Sequence, residues 1–200
     1  SKWPHIVQLS WAEYDTVTCK VVCHDHVIKP PPHVVISPES TAIHRIDRAI
    51  CDSKGISCHI AIMNFVHSVS DADAVVAHNM AFDKKMLVVE GIRNQIPPFF
   101  DMTKREEICT MISTAEICKI PAAFKDGTPY FKYPRLSELH MHLFGGEIPE
   151  GLHNSMVDVL ICLRCVAFLR TSRDIGEITS ALLDGVGGAE VSAVPTAKTR

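Results

Sequence analysis

Four consecutive apolar residues, Ala74-Val75-Val76-Ala77, run straight into His78-Asn79 and then into a pattern carrying Phe82, Met86, Leu87 and Val89 at helical spacing. A run this short and wholly apolar has the signature of a strand buried on both faces. The helix that follows is predicted to stop at Gly91. In open α/β sheets ligands bind beyond the carboxyl ends of the strands, so this handover from strand to helix puts His78, Asn79 and Asp83 where a ligand would sit.

The remaining segments interleave strands and helices, which makes the class α/β. His5 to Tyr14 alternates apolar and polar residues and reads as a strand. Thr16 to Ile28 reads as a second, closed by Pro30-Pro31-Pro32, which cannot donate to a ladder. A turn at Ser37-Pro38 opens a short helix within Ile36 to Ile50, and Ile60, Met63, Phe65 and Val66 have helical spacing within Ile56 to Val69. Phe99 to Met102 and Ile108 to Ile112 divide between a strand and a helix start, and Asp126-Gly127 marks a turn. Leu136, Leu139 and Leu143 line a helix ending at Gly145-Gly146. Ser155, with Asp158 three residues on, predicts a capping-box start for a last, strongly apolar helix reaching about Leu169. Residues 1–172 then form one domain, and 173–200, rich in Gly, Ala, Ser and Thr towards the end, form a flexible tail.

Bulk composition narrows the function classes. With 20 Lys and Arg against 23 Asp and Glu, the net charge is −3, which excludes indiscriminate electrostatic binding to nucleic acid but leaves room for an enzyme that touches few phosphates. No run approaches the length of a membrane span, and Ser1-Lys2-Trp3-Pro4 does not open a signal peptide. The 8 cysteines lie mostly within apolar runs, so they are expected to be reduced and the protein intracellular, with no membrane partner. Cys19-x(3)-Cys23-His24-x-His26 has zinc-ligand residue types, but alternation along a strand puts the two cysteines on one face and the histidines on the other. Cys162-x-x-Cys165 fits core packing.

Two segments carry chemistry. The first, Ala74 to Leu87, presents His78, Asn79 and Asp83. The second, Leu152 to Leu163, has His153 just ahead of a helix and Asp158 within it. An acid near a helix start is more often a dipole or capping residue, and a lone histidine is more often structural. An acid on an otherwise apolar helix nevertheless needs a partner, and a cation is the strongest one available.

The pair H-N-x-x-F-D (His78 to Asp83) and H-x(4)-D (His153 to Asp158) resembles the DEDDh, or DnaQ-like, 3′→5′ exonucleases, proofreading-type nucleases with a ribonuclease H-like fold. Pro4 to Trp11, Ser40 to Ile46, His24 to Pro30, Cys109 to Met111 and Leu136 to Gly145 resemble other segments of that family, so the likeness runs from Pro4 to Leu169. The resemblance implies a mixed sheet flanked by helices, with Asp83 and Asp158 as carboxylates holding two Mg²⁺ or Mn²⁺ ions and His153 as general base. It also implies that His78, Asn79 and Phe82 lie beside the terminal nucleotide. The implied reaction releases nucleoside 5′-monophosphates from 3′ ends of single-stranded DNA or RNA and is driven by metal-activated water, and the implied partner is a polymerase or a replication and repair complex.

Two departures qualify the likeness. Arg45 stands where the family has glycine after its histidine, here His44. The first family motif, D-x-E, belongs to the central strand upstream of Pro4 and does not occur there. Asp71-Ala72-Asp73 is an acid-x-acid pair, but it precedes the strand leading to Asp83. Two carboxylates alone do not balance two divalent ions, so the expectation is a chain truncated at its amino end and inactive without its central strand. The alternative is a degenerate, non-catalytic module of the same fold that binds nucleic acid or a polymerase-like partner.

Overall fold

The alternating residues of Gln8–Tyr14 and Val21–Val27 form β1 and β2, paired antiparallel from Gln8↔Val27 to Tyr14↔Val21. The computed structural model describes residues 3–97, 105–147 and 150–185. The second strand begins later than its sequence suggests. Asp15 Oδ1 accepts the N–H groups of Val17 and Thr18 at 2.8 and 3.1 Å, and this local turn draws Thr16 to Lys20 out of the ladder.

Two helices replace the one expected between Ile36 and Ile50. In α1 (Pro38–His44), Ser37 caps the start and Arg45, left-handed at φ 59°, ends it. In α2 (Arg48–Lys54), Asp47 Oδ1 accepts Ile50 N–H at 2.8 Å. Then follow α3 (Cys58–Ser70), β3 (Ala74–Ala77) and α4 (Met80–Arg93). Helix α4 does not stop at Gly91, which is buried within it; it ends before Asn94, and Gln95 takes the left-handed turn at φ 56°.

Beyond this, β4 (Glu106–Cys109) pairs parallel with β3 in the register Ala74↔Glu106 to Ala77↔Cys109, and α5 (Thr110–Ser113) and α6 (Ala115–Cys118) follow. Ile108 to Ile112 is thus a strand end followed by a helix start, whereas Phe99 to Met102 lies outside the described residues. The turn at Asp126-Gly127 joins β5 (Ile120–Ala123) to β6 (Pro129–Lys132), an antiparallel hairpin that no alternation of polarity signals.

The remaining helices are α7 (Leu136–Phe144), α8 (Ser155–Thr171) and α9 (Gly176–Asp184). The last of these corrects the reading of a tail from residue 173. Ile175, Ile178 and Leu182 recur at helical spacing and join the main core cluster, and Asp174 takes a two-pronged salt bridge from Arg164 at 2.7 and 2.8 Å. The weak overall hydrophobicity of that stretch conceals a narrow apolar stripe.

The architecture is mixed α/β. The strands form separate ladders, β1–β2, β3–β4 and β5–β6, rather than one sheet. Helix α8 lies against one face of both β1 and β3, packing Met156, Leu160 and Leu163 with Ala12, Tyr14, Val21, Val76 and Ile108. On the other side of β1–β2, α3 and α4 enclose Ile28, Ala61, Ile62 and Leu87, with Leu9 and Phe65 against them. The far flank of α8 packs Ile161 and Cys165 on Leu139 of α7. Among the described residues neither β1 nor β3 has a ladder partner on its other edge, although α8 packs beneath both.

If α9 is part of the core, Leu182→Ala leaves a cavity and destabilises the protein by about 2–4 kcal/mol in urea unfolding. A change within about 0.5 kcal/mol would return this segment to the status of a tail.

Candidate active site

Strand β3 hands over to α4 through Asn79, whose backbone is left-handed at φ 74°, a conformation that a short polar side chain tolerates. This tight corner lets Phe82 N–H reach Asn79 C=O at 2.9 Å and sets Asp83 in the first turn of α4. The Asn79 side chain makes no capping bond, so its amide stays available.

His78, at the end of the strand, is held at both ring nitrogens. Nε2 lies 3.0 Å from the carbonyl oxygen of Pro134, and Nδ1 lies 3.0 Å from Thr110 Oγ1. A carbonyl can only accept, so Nε2 carries the hydrogen, and Nδ1 is left to accept the threonine hydroxyl. Burial lowers the pKa of His78, which keeps this neutral form. Its polar ring atoms are therefore committed to α5 and the exit of the β5–β6 hairpin.

The second segment folds differently from its predicted capping box. Asn154, not Ser155, caps α8: its side-chain oxygen accepts Met156 and Val157 N–H at 3.0 and 3.4 Å. Ser155 N–H donates instead to Gln8 Oε1 of β1 at 3.2 Å, which ties the start of α8 to the sheet. Asp158 is freed from capping and accepts the N–H of His153 at 3.3 Å. His153 itself is exposed, with a left-handed backbone at φ 75°.

Asp83 and Asp158 come within electrostatic reach of each other. Asp83 is exposed to solvent, yet the density of protein packed around its carboxyl pushes it up to about 6, and the neighbouring Asp158 carboxylate adds to the rise. Asp158 is raised too, chiefly by burial, against the lowering effect of the His153 N–H and imidazole. No lysine or arginine pairs with either acid among the described residues. Phe82 stands beside them, 50% exposed, with its ring 6.4 Å from that of Trp3, over which Lys85 Nζ sits at 5.3 Å.

The donor chemistry suits a hard divalent cation only in part. Asp83 feels the charge of Asp158 and neither is paired with a lysine or arginine, yet among the described residues no group of three or more His, Cys, Asp or Glu side chains stands close enough to hold an ion. Asp71 and Asp73 do not add to it, because they precede β3 and so lie at its opposite end. The Cys19 to His26 cluster is split as well: Cys19 and Cys23 join the α8-facing core, while His24 stacks on Trp11 at 4.6 Å and meets Glu13 at 2.9 Å. Cys162 and Cys165 are buried and pushed up to about 12 by that burial, which suits packing rather than thiolate chemistry. Arg45 takes the left-handed turn that ends α1, at φ 59°. Among the described residues no helix is long and apolar enough to cross a membrane.

Sequence reasoning missed Thr110, Pro134 and Gln8, whose roles depend on contacts 32, 56 and 147 residues away along the chain. It also missed Glu90, only 2% exposed, which meets His5 at 3.0 Å and Arg93 at 2.7 Å and lines a cleft at the other end of α4.

The Asp83 shift sets a pH dependence. A carboxyl raised from 3.8 to about 6 on folding stabilises the fold while protonated: the contribution is complete below about pH 3.8 and lost as the pH rises through about 6. Asp83→Asn is therefore expected to raise the Tm near neutral pH, with the gain vanishing near pH 3.8. A Tm difference that does not vary with pH would show that Asp83 is not a strained carboxylate.

No protein-family model and no curated protein matches the sequence. Among solved structures, the fold is similar to E. coli Exonuclease I in complexes with dT13 and dA16 oligonucleotides, with TM-scores of 0.62 and identities of 17% and 16%, covering 90% of this chain and 39% of that one. A product-bound exonuclease I structure is similar with a TM-score of 0.57 at 13% identity, covering 91% and 46% of the two chains. The chain spans less than half the length of these proteins, and likeness at such identity speaks to the fold. That fold is the mixed α/β, ribonuclease H-like one of exonuclease I.

Proposed function

We propose that the protein acts in a divalent-metal-dependent 3′→5′ exonuclease that releases nucleoside 5′-monophosphates from single-stranded or frayed 3′ ends. The observation that carries this reading is the Asp83–Asp158 pair: two crowded carboxylates, both raised and neither neutralised by a cationic side chain, beside an exposed histidine. The likeness in fold to exonuclease I bound to oligonucleotides supports it.

Asp83 and Asp158 would hold Mg²⁺ or Mn²⁺, which when bound lowers the pKa of a water and offsets the charge of the phosphodiester. His153 receives the proton on a ring nitrogen, and its backbone N–H on Asp158 keeps the loop at the mouth of the site. Phe82 offers a flat face to the terminal base, and Asn79 offers its free amide. His78, bonded at both nitrogens, positions these two by fixing the corner between β3 and α4, rather than touching substrate with a polar atom. A strand bearing D-x-E on the open edge of β1 or β3 would add to the carboxylate set. DNA or RNA strands with free 3′ ends are the substrates, and a polymerase or repair complex is the setting.

The incomplete donor set favours one second reading: a non-catalytic relative of the same fold that binds nucleic acid or a polymerase-like partner. Nucleotide release separates the two. With a D-x-E strand supplied, in a longer gene product or as a peptide, Mg²⁺ is expected to switch on mononucleotide release from 3′-labelled single strands, and Asp158→Ala to abolish it. Release that persists in EDTA would refute a metal mechanism, and binding without release in either format would favour the second reading. His153→Ala should slow turnover by about 10²–10⁴-fold and leave the Mn²⁺-induced rise in Tm intact. Loss of that rise would make His153 a ligand or a structural residue.

A further inference from the structure

Exposed aromatic rings are concentrated in one place. Of the five exposed aromatic residues among those described, Phe124, Tyr130, Phe131 and Tyr133 lie on the β5–β6 hairpin and its exit, and only Phe82 lies elsewhere. Phe124 and Tyr130 are already stacked on each other, with centroids 4.3 Å apart and planes 25° apart. They share a face, because the register Ala122↔Tyr130 and Pro121↔Phe131 turns Phe131 to the other side.

The charge of this segment opposes that of the whole chain. From Lys119 to Arg135 there are four cations, Lys119, Lys125, Lys132 and Arg135, against the single acid Asp126, in a protein of net charge −3. Lys132 is engaged by Glu138 at 2.6 Å, but Lys119 and Lys125 have no acidic partner among the described residues. The hairpin is also anchored to the carboxylate site. Its exit residue Pro134, one beyond exposed Tyr133, accepts at 3.0 Å the ring hydrogen of His78, which lies five positions before Asp83 on the β3–α4 corner.

We propose that this hairpin is a track for single-stranded nucleic acid. Bases 5′ of the terminal nucleotide continue the Phe124–Tyr130 stack, while Lys119 and Lys125 face the phosphates. Flat rings interleaved with unpaired lysines match the alternation of bases and phosphates in a strand, whereas an apolar protein partner would leave those lysines buried without counter-charge. The proposal rests on the reading of Asp83 and Asp158 as the 3′-end site, because that site fixes the direction in which the strand leaves.

The test measures the affinity of the protein for a fluorescein-labelled oligothymidylate of about 16 nucleotides, in EDTA so that cleavage plays no part. Phe124→Ala and Tyr130→Ala should each weaken binding about ten-fold, a stacking contribution typical of one base. Phe131→Ala, on the opposite face of the same hairpin, should leave binding unchanged, so a general loss of the hairpin is recognisable. Lys119→Gln and Lys125→Gln should each reduce the salt slope of log Kd by about 0.7. Photo-crosslinking should join Phe124 or Tyr130 to a 5-iodouracil at internal positions and not at the 3′ terminus. Equal affinity across all the variants, equal loss in Phe131→Ala, or crosslinking only at the terminus would overturn the track and leave the aromatic face to a protein partner. Loss of binding in the aromatic variants, with no nucleotide released under any condition, would support the track while refuting the exonuclease reading.

Discussion

Helix α8 is the member on which the rest of the fold depends. Its buried residues Met156, Leu160, Ile161, Cys162, Leu163, Cys165, Val166 and Ala167 surround the helix rather than forming one stripe, so it has to be enclosed. At 17 residues it is about 25 Å long, long enough to lie beneath both β1 and β3 and still take α7 and α9 on its flanks. Arg164 is the polar exception. Its guanidinium packs over Phe144 at 3.9 Å, bonds His140 at 3.0 Å and grips Asp174 with two bonds, so the cation is shared among three elements rather than buried alone. Gly176 leaves the space this needs, since a Cβ there would lie 2.8 Å from the guanidinium carbon.

The same helix carries Asp158 near its start, and the site inherits its constraints. Burial that is favourable for Leu160 and Leu163 is unfavourable for a carboxylate one turn earlier, which explains why Asp158 is raised and why the chain supplies the His153 N–H to it. Asp83 faces the same deficit from α4. The neighbouring Asp158 carboxylate adds to the cost of ionising Asp83.

The scaffold around this pair is built from contacts distant in sequence. His78 joins the end of β3, the start of α5 and the hairpin exit through two hydrogen bonds, and Gln8 joins β1 to the start of α8. These bonds matter because the ladders do not hold one another. With β1 and β3 each paired on one edge only among the described residues, side chains and α8 carry the load that backbone hydrogen bonds carry in a continuous sheet.

Local pattern was enough to place β3, α4 and α8, because a fully apolar strand with polar residues at its end and a strongly apolar helix each leave a signal within a dozen residues. It was not enough for α9, whose narrow stripe of Ile175, Ile178 and Leu182 has meaning only once α8 is there to receive it. Nor could it decide the cap of α8. Asn154 and Ser155 are both good caps, and the choice was made by Gln8, which takes the Ser155 N–H from across the fold. Likewise His78 looked like a substrate contact by position, and only the arrival of Thr110 and Pro134 committed its nitrogens to the scaffold. Sequence by itself determined which residues are apolar, turn-forming or ionisable, because these are properties of side chains. Only the tertiary structure decided which ionisable groups lose water and which hydrogen bonds are already taken, because both depend on neighbours that the chain brings in from far away.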